Sequence, residues 1–326
     1  MAKHIPGVSN SMKGKAPLGT RILRDTRDWE AMTDEQVIAA RRKANRAASS
    51  AVGRIVTGRP DRRARIKETT IDLPGRQLAL RVHRPKKAEP MLPLIISFHG
   101  GGFIGGTAAQ NDWLNSHLAA RCPAVVVAVE YSLAPEHLLP RPIEDGYDTL
   151  VRIVEDATGW GIDSAAVAVI GESAGAMIAA LVALRTRKDG PRLRAQVLAY
   201  PATDWTETMV DYPSIAENAD NPTLSLSRLR AARKLSMPST LDPNTVSPVK
   251  FENLADLPPA LVITAEYDPL RDQAEQYAQR LRESSVPVTL SRYDGMIHGF
   301  FCMAGDLADG ARAQAEAAEF LKRHLF

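Results

Sequence analysis

"VIGESAGAM", residues 169–177, passes from an apolar run into small residues, with a serine held between two glycines. The run before it, AVAVI at 166–170, has the character of a buried strand, and AGAMIAALVALRTR after it reads as a helix ending near Gly190-Pro191. A strand that enters a helix through so tight a turn needs glycine where side chains would collide, and it leaves the serine exposed at the tip. The G-x-S-x-G spacing alone carries little weight. Its strand–turn–helix setting gives it meaning.

The same alternation extends along the chain. Apolar runs at 92–98, 124–130, 166–170, 195–200 and 259–267 alternate with helical patterns near 111–121, 141–157, 174–188, 269–284 and 307–324. This predicts an α/β fold with a mainly parallel sheet flanked by helices on both faces. Upstream, IKETTIDLPGRQLALRVHRP alternates on both sides of Pro74-Gly75 and predicts an antiparallel hairpin. Thr33, with Gln36 three residues on, is a helix-start signal, and one or two helices are expected before residue 66. The stretch 204–257 breaks the rhythm and reads as an insertion over the carboxyl ends of the strands, where open α/β sheets bind ligands. The expected organisation is therefore an N-terminal helical cap segment at 1–66, a core at 67–203 and 258–326, and an insertion at 204–257 contributing to the cap. Ile22, Leu23, Trp29, Val37, Ile38, Val52, Ile55 and Val56 need a surface to bury against, and the crevice end of the sheet is the natural one.

A chain of 326 residues with 44% hydrophobic content can fill one large α/β core. Cys122 and Cys302 allow at most one bridge, and both fall in apolar surroundings that suit small buried hydrophobes in a reducing compartment. No apolar leader region or membrane-length run is present, so the expectation is a soluble cytoplasmic protein. The net charge of +3 conceals an asymmetry: residues 1–67 hold 16 Lys and Arg against 6 Asp and Glu, while the rest holds 25 against 32. The basic cluster RRARIK has no interleaved aromatics and no nucleic-acid motif accompanies it, so a solvated helical face is the reading and nucleic acid is not an expected partner.

Serine is a poor nucleophile in water. To attack an acyl carbon it needs a base, an acid that orients the base, and donors for the oxyanion. SFHGGGF at 97–103 ends an apolar run with three glycines, which can turn successive N–H groups toward one point; a flexible loop is the bland alternative. Gly101, Gly102 and the N–H of Ala174 are the candidate oxyanion donors. Of seven histidines, His298 in YDGMIHGFF lies after the last strand-like run, whereas His4 and His324 are near the termini, His83 is in the hairpin and His117 is in a helical stretch. Asp268 ends PALVITAEYD and precedes Pro269, where a plain helix cap is the alternative role; Glu266 and Asp272 are rival acids. The order Ser173, Asp268, His298 is the one expected for α/β-hydrolases. Trp113, Tyr200 and Trp205 are candidate pocket walls by position. Neither a metal nor a cofactor enters this reading.

Five motifs in order carry a family resemblance: HGGGF at 99–103, VVVAVEYSLAPEHLLP at 125–140, GESAG at 171–175, DPLRD at 268–272 and HGF at 298–300. The chain, over about residues 70–326, resembles the hormone-sensitive-lipase-like esterases, the bacterial family IV carboxylesterases. The resemblance implies an α/β-hydrolase core with an N-terminal helical cap, cofactor-free hydrolysis of short to medium acyl esters through an acyl-enzyme, and catalysis by Ser173, Asp268 and His298. Residue by residue it places the oxyanion donors at Gly101, Gly102 and Ala174, and gives His99 a loop-holding role. It also implies a homodimer through the edge strand at 287–293. Three departures stand out: Glu172 where the family usually has aspartate, Ala176 where glycine is usual, and Ser132 for a common arginine, which removes a guanidinium near Glu136. Two other classes remain in view. An acyltransferase or thioesterase would share the triad, although nothing resembles a CoA or carrier site. A non-catalytic receptor like the plant gibberellin receptors would keep the serine motif but lack the histidine.

Overall fold

The strand runs are apolar from end to end because both of their faces are covered. The computed structural model describes residues 25, 27–48, 50, 53–87 and 90–326. Its strands are β1 (Ala64–Leu73), β2 (Arg76–Pro85), β3 (Leu92–Phe98), β4 (Val125–Val129), β5 (Ile162–Glu172), β6 (Ala195–Ala199), β7 (Ala260–Tyr267) and β8 (Val288–Ile297). They form one sheet in the order β1-β2-β4-β3-β5-β6-β7-β8. β2 is antiparallel to both of its neighbours and the remaining pairings are parallel, so the hairpin adds an antiparallel margin to a parallel core.

Alternate residues of each strand feed opposite layers. Leu94, Ile96, Val125 and Val127 pack in a cluster with Ile153 of α4 (Arg141–Glu155), Met177 of α6 (Ala174–Asp189) and Leu281 of α9 (Arg271–Glu283). Ile95, Val126, Ile170 and Val197 join Leu114 and Leu118 of α3 (Asp112–Arg121) and Ala317 and Leu321 of α10 (Ala308–Leu325) on the other side. Each of the five helical patterns read from the sequence is present. The one placed at 141–157 is divided at Asp156, after which α5 (Ala157–Trp160) closes on Gly161 in the left-handed conformation. β8 continues to Ile297, past the 293 where its apolar alternation ends, because Tyr267 and Ile297 pair beyond an irregularity in the β7–β8 register. That extension sets His298 at the strand end.

Before the sheet lie α1 (Asp34–Ala48) and α2 (Gly53–Thr57). Thr33 and Gln36 cap α1 reciprocally: the Thr33 N–H donates to Gln36 Oε1 at 2.9 Å and the Gln36 N–H to Thr33 Oγ1 at 3.4 Å. β1 begins at Ala64, so a division at 66 falls just inside that strand. Trp29 and Val37 are buried, and Ile38 and Val56 partly so. Ile55 departs from the expectation at 67% exposure: α2 is a single short turn, and it offers the Val56 carbonyl to the N–H of Gly305 while Ile55 faces outward. Ile22, Leu23 and Val52 lie outside the described residues. Within 204–257 the helices are α7 (Pro213–Glu217) and α8 (Leu226–Ser236), with a short 3-10 turn before α7 and two after α8. Among the described residues no helix is long and apolar enough to cross a membrane.

Candidate active site

The turn after β5 explains its own sequence. Ser173 has φ 54° and ψ −121°, a conformation that side chains rarely adopt and that the tight β5–α6 junction imposes. A Cβ on Gly171 would come within 2.2 Å of the Gly175 carbonyl oxygen, and one on Gly175 within 2.3 Å of the Phe98 carbonyl oxygen. Neither neighbour is a side chain that could move aside. The spacing of glycines around the serine is thus a packing requirement of the junction with the end of β3.

Three side chains far apart in sequence meet at this tip. His298 Nε2 lies 3.1 Å from Ser173 Oγ, and His298 Nδ1 lies 2.8 Å from Asp268 Oδ2. Burial is graded along the row: Asp268 is fully enclosed, while His298 and Ser173 keep 7% and 8% exposure at the edge of a cavity of about 260 Å³. The second oxygen of Asp268 accepts the Leu270 N–H at 2.8 Å, so the carboxylate is held at both ends. The rival acids are engaged elsewhere. Glu266 accepts the Gly295 N–H, and Asp272 accepts the Ser214 N–H and pairs with Arg271.

Gly101, Gly102 and Ala174 line the same cavity. Gly101 has φ 136°, and its carbonyl accepts the N–H groups of Ile104 and Gly105, which closes the loop after β3. Ala174 is the first residue of α6, where the N–H groups have no partner within the helix and the dipole favours negative charge. Behind the loop His99 is buried and stacked on Tyr131 with ring centroids 4.2 Å apart, and Tyr131 donates its hydroxyl to the His99 carbonyl at 2.6 Å. Desolvation holds the His99 imidazole below its ordinary pKa, that is, toward the neutral form.

Of the three aromatic candidates, Tyr200 and Trp205 line the cavity. Trp113 does not. α3 turns Leu114 and Leu118 to the sheet, so Trp113 falls on its outer side, stacked on His117 at 3.9 Å and pressed on Gly58 after α2.

Residues 95–302 match the family profile described as alpha/beta hydrolase fold. Two proteins of Mycobacterium tuberculosis are among the similar sequences. Esterase LipI is 36% identical over 249 residues, 74% of this chain and 76% of its own. Carboxylesterase NlhH is 37% identical over 272 residues, 80% and 83% of the two chains. The solved esterase of Pyrobaculum calidifontis superposes with a TM-score of 0.85 at 34% identity, covering 94% of this chain and 98% of its own. The chain belongs to the hormone-sensitive-lipase-like esterases.

In this esterase the departures from the family pattern have visible surroundings. Glu172 is buried, accepting the Tyr200 hydroxyl at 3.0 Å, the Gln110 amide at 3.3 Å and the Cys302 thiol. Cys302 therefore belongs to a polar network on the cavity wall and is no simple apolar filler, whereas Cys122 is, with burial pushing its thiol up to about 12. Both thiols are free. Tyr200 also packs its ring against His298 at 4.6 Å, so the network reaches the imidazole. The guanidinium missing at Ser132 is replaced from α1: Arg41 pairs with Glu136 and donates to the Ala134 carbonyl. Asn45, one turn on, donates to the Gly106 carbonyl at 2.9 Å, bracing the glycine loop. Within 204–257, Thr223 donates to the His298 carbonyl at 2.6 Å and Asn221 to that of Tyr267 at 2.7 Å, tying this stretch to the strand ends that bear Asp268 and His298. Sequence reading missed Gln110, Arg41, Asn45, Asn221 and Thr223. Only Arg41 had a sequence signal, the guanidinium lost at Ser132.

Proposed function

We propose that the enzyme hydrolyses short to medium acyl esters through an acyl-enzyme on Ser173. The observation that carries this reading is the continuous row from Asp268 through His298 to Ser173 at hydrogen-bond distances. His298, in the tautomer with its proton on Nδ1 toward Asp268, takes the Ser173 proton as Oγ attacks the ester carbonyl. It then returns that proton to the departing alcohol, and water repeats the sequence to free the acid. Asp268 fixes that tautomer and stabilises the imidazolium without taking the proton. The N–H groups of Gly101, Gly102 and Ala174 hold the developing oxyanion, and losing one such donor typically costs about 2.7–4 kcal/mol of transition-state stabilisation. Tyr200 and Trp205 serve as substrate walls.

The segment before 66 and the insertion at 204–257 act together as the cap, and Ala44, Asn45 and Ala48 of α1 supply part of the acyl wall. Their place on the cavity lining supports this. The test is a series of p-nitrophenyl esters of increasing acyl length. One nitrophenolate released per chain in a burst marks the acyl-enzyme; turnover at no chain length would refute the ester reading. Leucine at both Ala44 and Ala48 should lower kcat/KM for hexanoate relative to acetate, by the roughly 1–3 kcal/mol that overfilling a packed site costs. An unchanged ratio removes α1 from the acyl wall.

A homodimer through the edge strand is part of the same proposal. Residues 288–297 form β8 at the free margin of the sheet, so its outer backbone groups can pair with a second copy. Light scattering at micromolar concentration should give twice 35.5 kDa; a monomer mass sinks the idea.

A further inference from the structure

Among the described residues that line the cavity, two beyond the row of three carry charged side chains, Glu172 and Arg228. Glu172 is satisfied by Tyr200, Gln110 and Cys302, as described. Arg228, on α8, is not matched in the same way. Its Nη1 donates to the Thr223 carbonyl at 3.1 Å, and its guanidinium lies 5.2 Å from the centre of the Trp29 ring. Among the described residues it forms no ion pair, whereas Arg41, Arg233 and Arg271 around the same site each have a carboxylate within 4.0 Å. Asp25 and Arg27 are the charged groups that act on it, with opposite signs. The Asp25 carboxylate is already taken by Arg27 Nε at 2.7 Å and by Trp29 Nε1 at 2.8 Å. Residues 1–24 contain no Asp or Glu that could supply a partner. Glu89 is the one acidic residue outside the described set; its described neighbour Pro90 abuts Gly161 at the start of β5, the end of that strand remote from Ser173. Desolvation presses the Arg228 pKa down, so the site bears the cost of a cation that it does not neutralise.

A cation kept without a carboxylate on the wall of a substrate cavity is suited to complete its pairing with a ligand. A guanidinium presents a planar fork that grips carboxylates in two parallel hydrogen bonds. We infer that the preferred ester bears a carboxylate on its acyl or alcohol half, which Arg228 binds. This rests on the ester-hydrolase reading and adds no chemical step. Water still divides the ester into acid and alcohol, and the second carboxylate leaves unchanged.

The test compares kcat/KM of the full-length protein on two matched pairs, with hydrolysis followed by acid release. Monoethyl glutarate against ethyl pentanoate places the charge on the acyl half; 4-acetoxybutanoate against pentyl acetate places it on the alcohol half. The wild type should favour the charged member of at least one pair. In Arg228→Met that charged-to-neutral ratio should fall about 10- to 150-fold, the range of one charge-assisted hydrogen bond, with Arg228→Lys between the two. Wild-type ratios below one in both pairs, or a ratio unmoved by Arg228→Met, overturn the inference. Should neither variant fold, the wild type decides by itself: a charged preference that weakens with added salt supports the pairing, and one that salt leaves unchanged overturns it. Turnover of none of the four esters would instead overturn the ester-hydrolase reading.

Discussion

Ser173→Ala should reduce ester turnover by a factor of about 10⁶, the loss seen when the nucleophile of a serine triad is removed. Ser173 Oγ is the hydroxyl that lies 3.1 Å from His298 Nε2. The other hydroxyls on the described cavity lining are engaged, Thr223 donating to the His298 carbonyl and Tyr200 to Glu172, so neither offers a local substitute. What survives is the roughly 10³–10⁴-fold acceleration over water that binding and the oxyanion donors supply alone. Alanine occupies the strained backbone at 173 about as well as serine does, so circular dichroism should be unchanged. Stoichiometric labelling by an organophosphate should disappear with the activity. A purified, folded variant that keeps more than a few per cent of the wild-type rate would place the nucleophile elsewhere.

Asp268→Asn should lower kcat by about 10⁴, because an amide can present its N–H₂ to Nδ1 and so stabilise the tautomer that cannot accept the serine proton. The geometry is otherwise preserved, since the amide oxygen can still accept the Leu270 N–H that now holds Oδ1. Glu266→Gln and Asp272→Asn serve as controls. Their carboxylates face Gly295 in one case and Ser214 with Arg271 in the other, so kcat should change little even where stability falls. A large loss of kcat in either control, with Asp268→Asn near wild type, would move the acid. Stopped-flow acylation separates this from a binding defect: loss of the orienting acid slows the burst itself.

The departures at Glu172 and Ser132 show how a family pattern is altered without disturbing the row of three side chains. The longer carboxyl arm at 172 is buried and needs donors, and Tyr200, Gln110 and Cys302 provide them. The loop at 132–136 loses its arginine locally and receives Arg41 from α1 instead. That pair is partly exposed, so its contribution to stability is small; its effect is to tie the N-terminal segment to the core.

What the sequence determined here is what short-range physics controls. Continuous apolar runs can be satisfied only by strands covered on both faces, so the parallel sheet and its helices were legible. Strand-to-helix sterics restrict residues 171 and 175 to glycine, so the place of Ser173 was legible too. The positions of Asp268 and His298 followed because each must sit at a strand end to reach that tip. Tertiary structure alone decided which side chains line the cavity. Trp113 and Leu114 are adjacent in sequence, yet one faces the α2 side and the other the sheet. It also decided that Cys302 donates to Glu172, that Arg41 reaches Glu136 across 95 positions, and that Arg228 stands on the wall with no carboxylate partner among the described residues. Those contacts depend on how distant elements pack, and neither local periodicity nor turn chemistry encodes the distance between side chains a hundred residues apart.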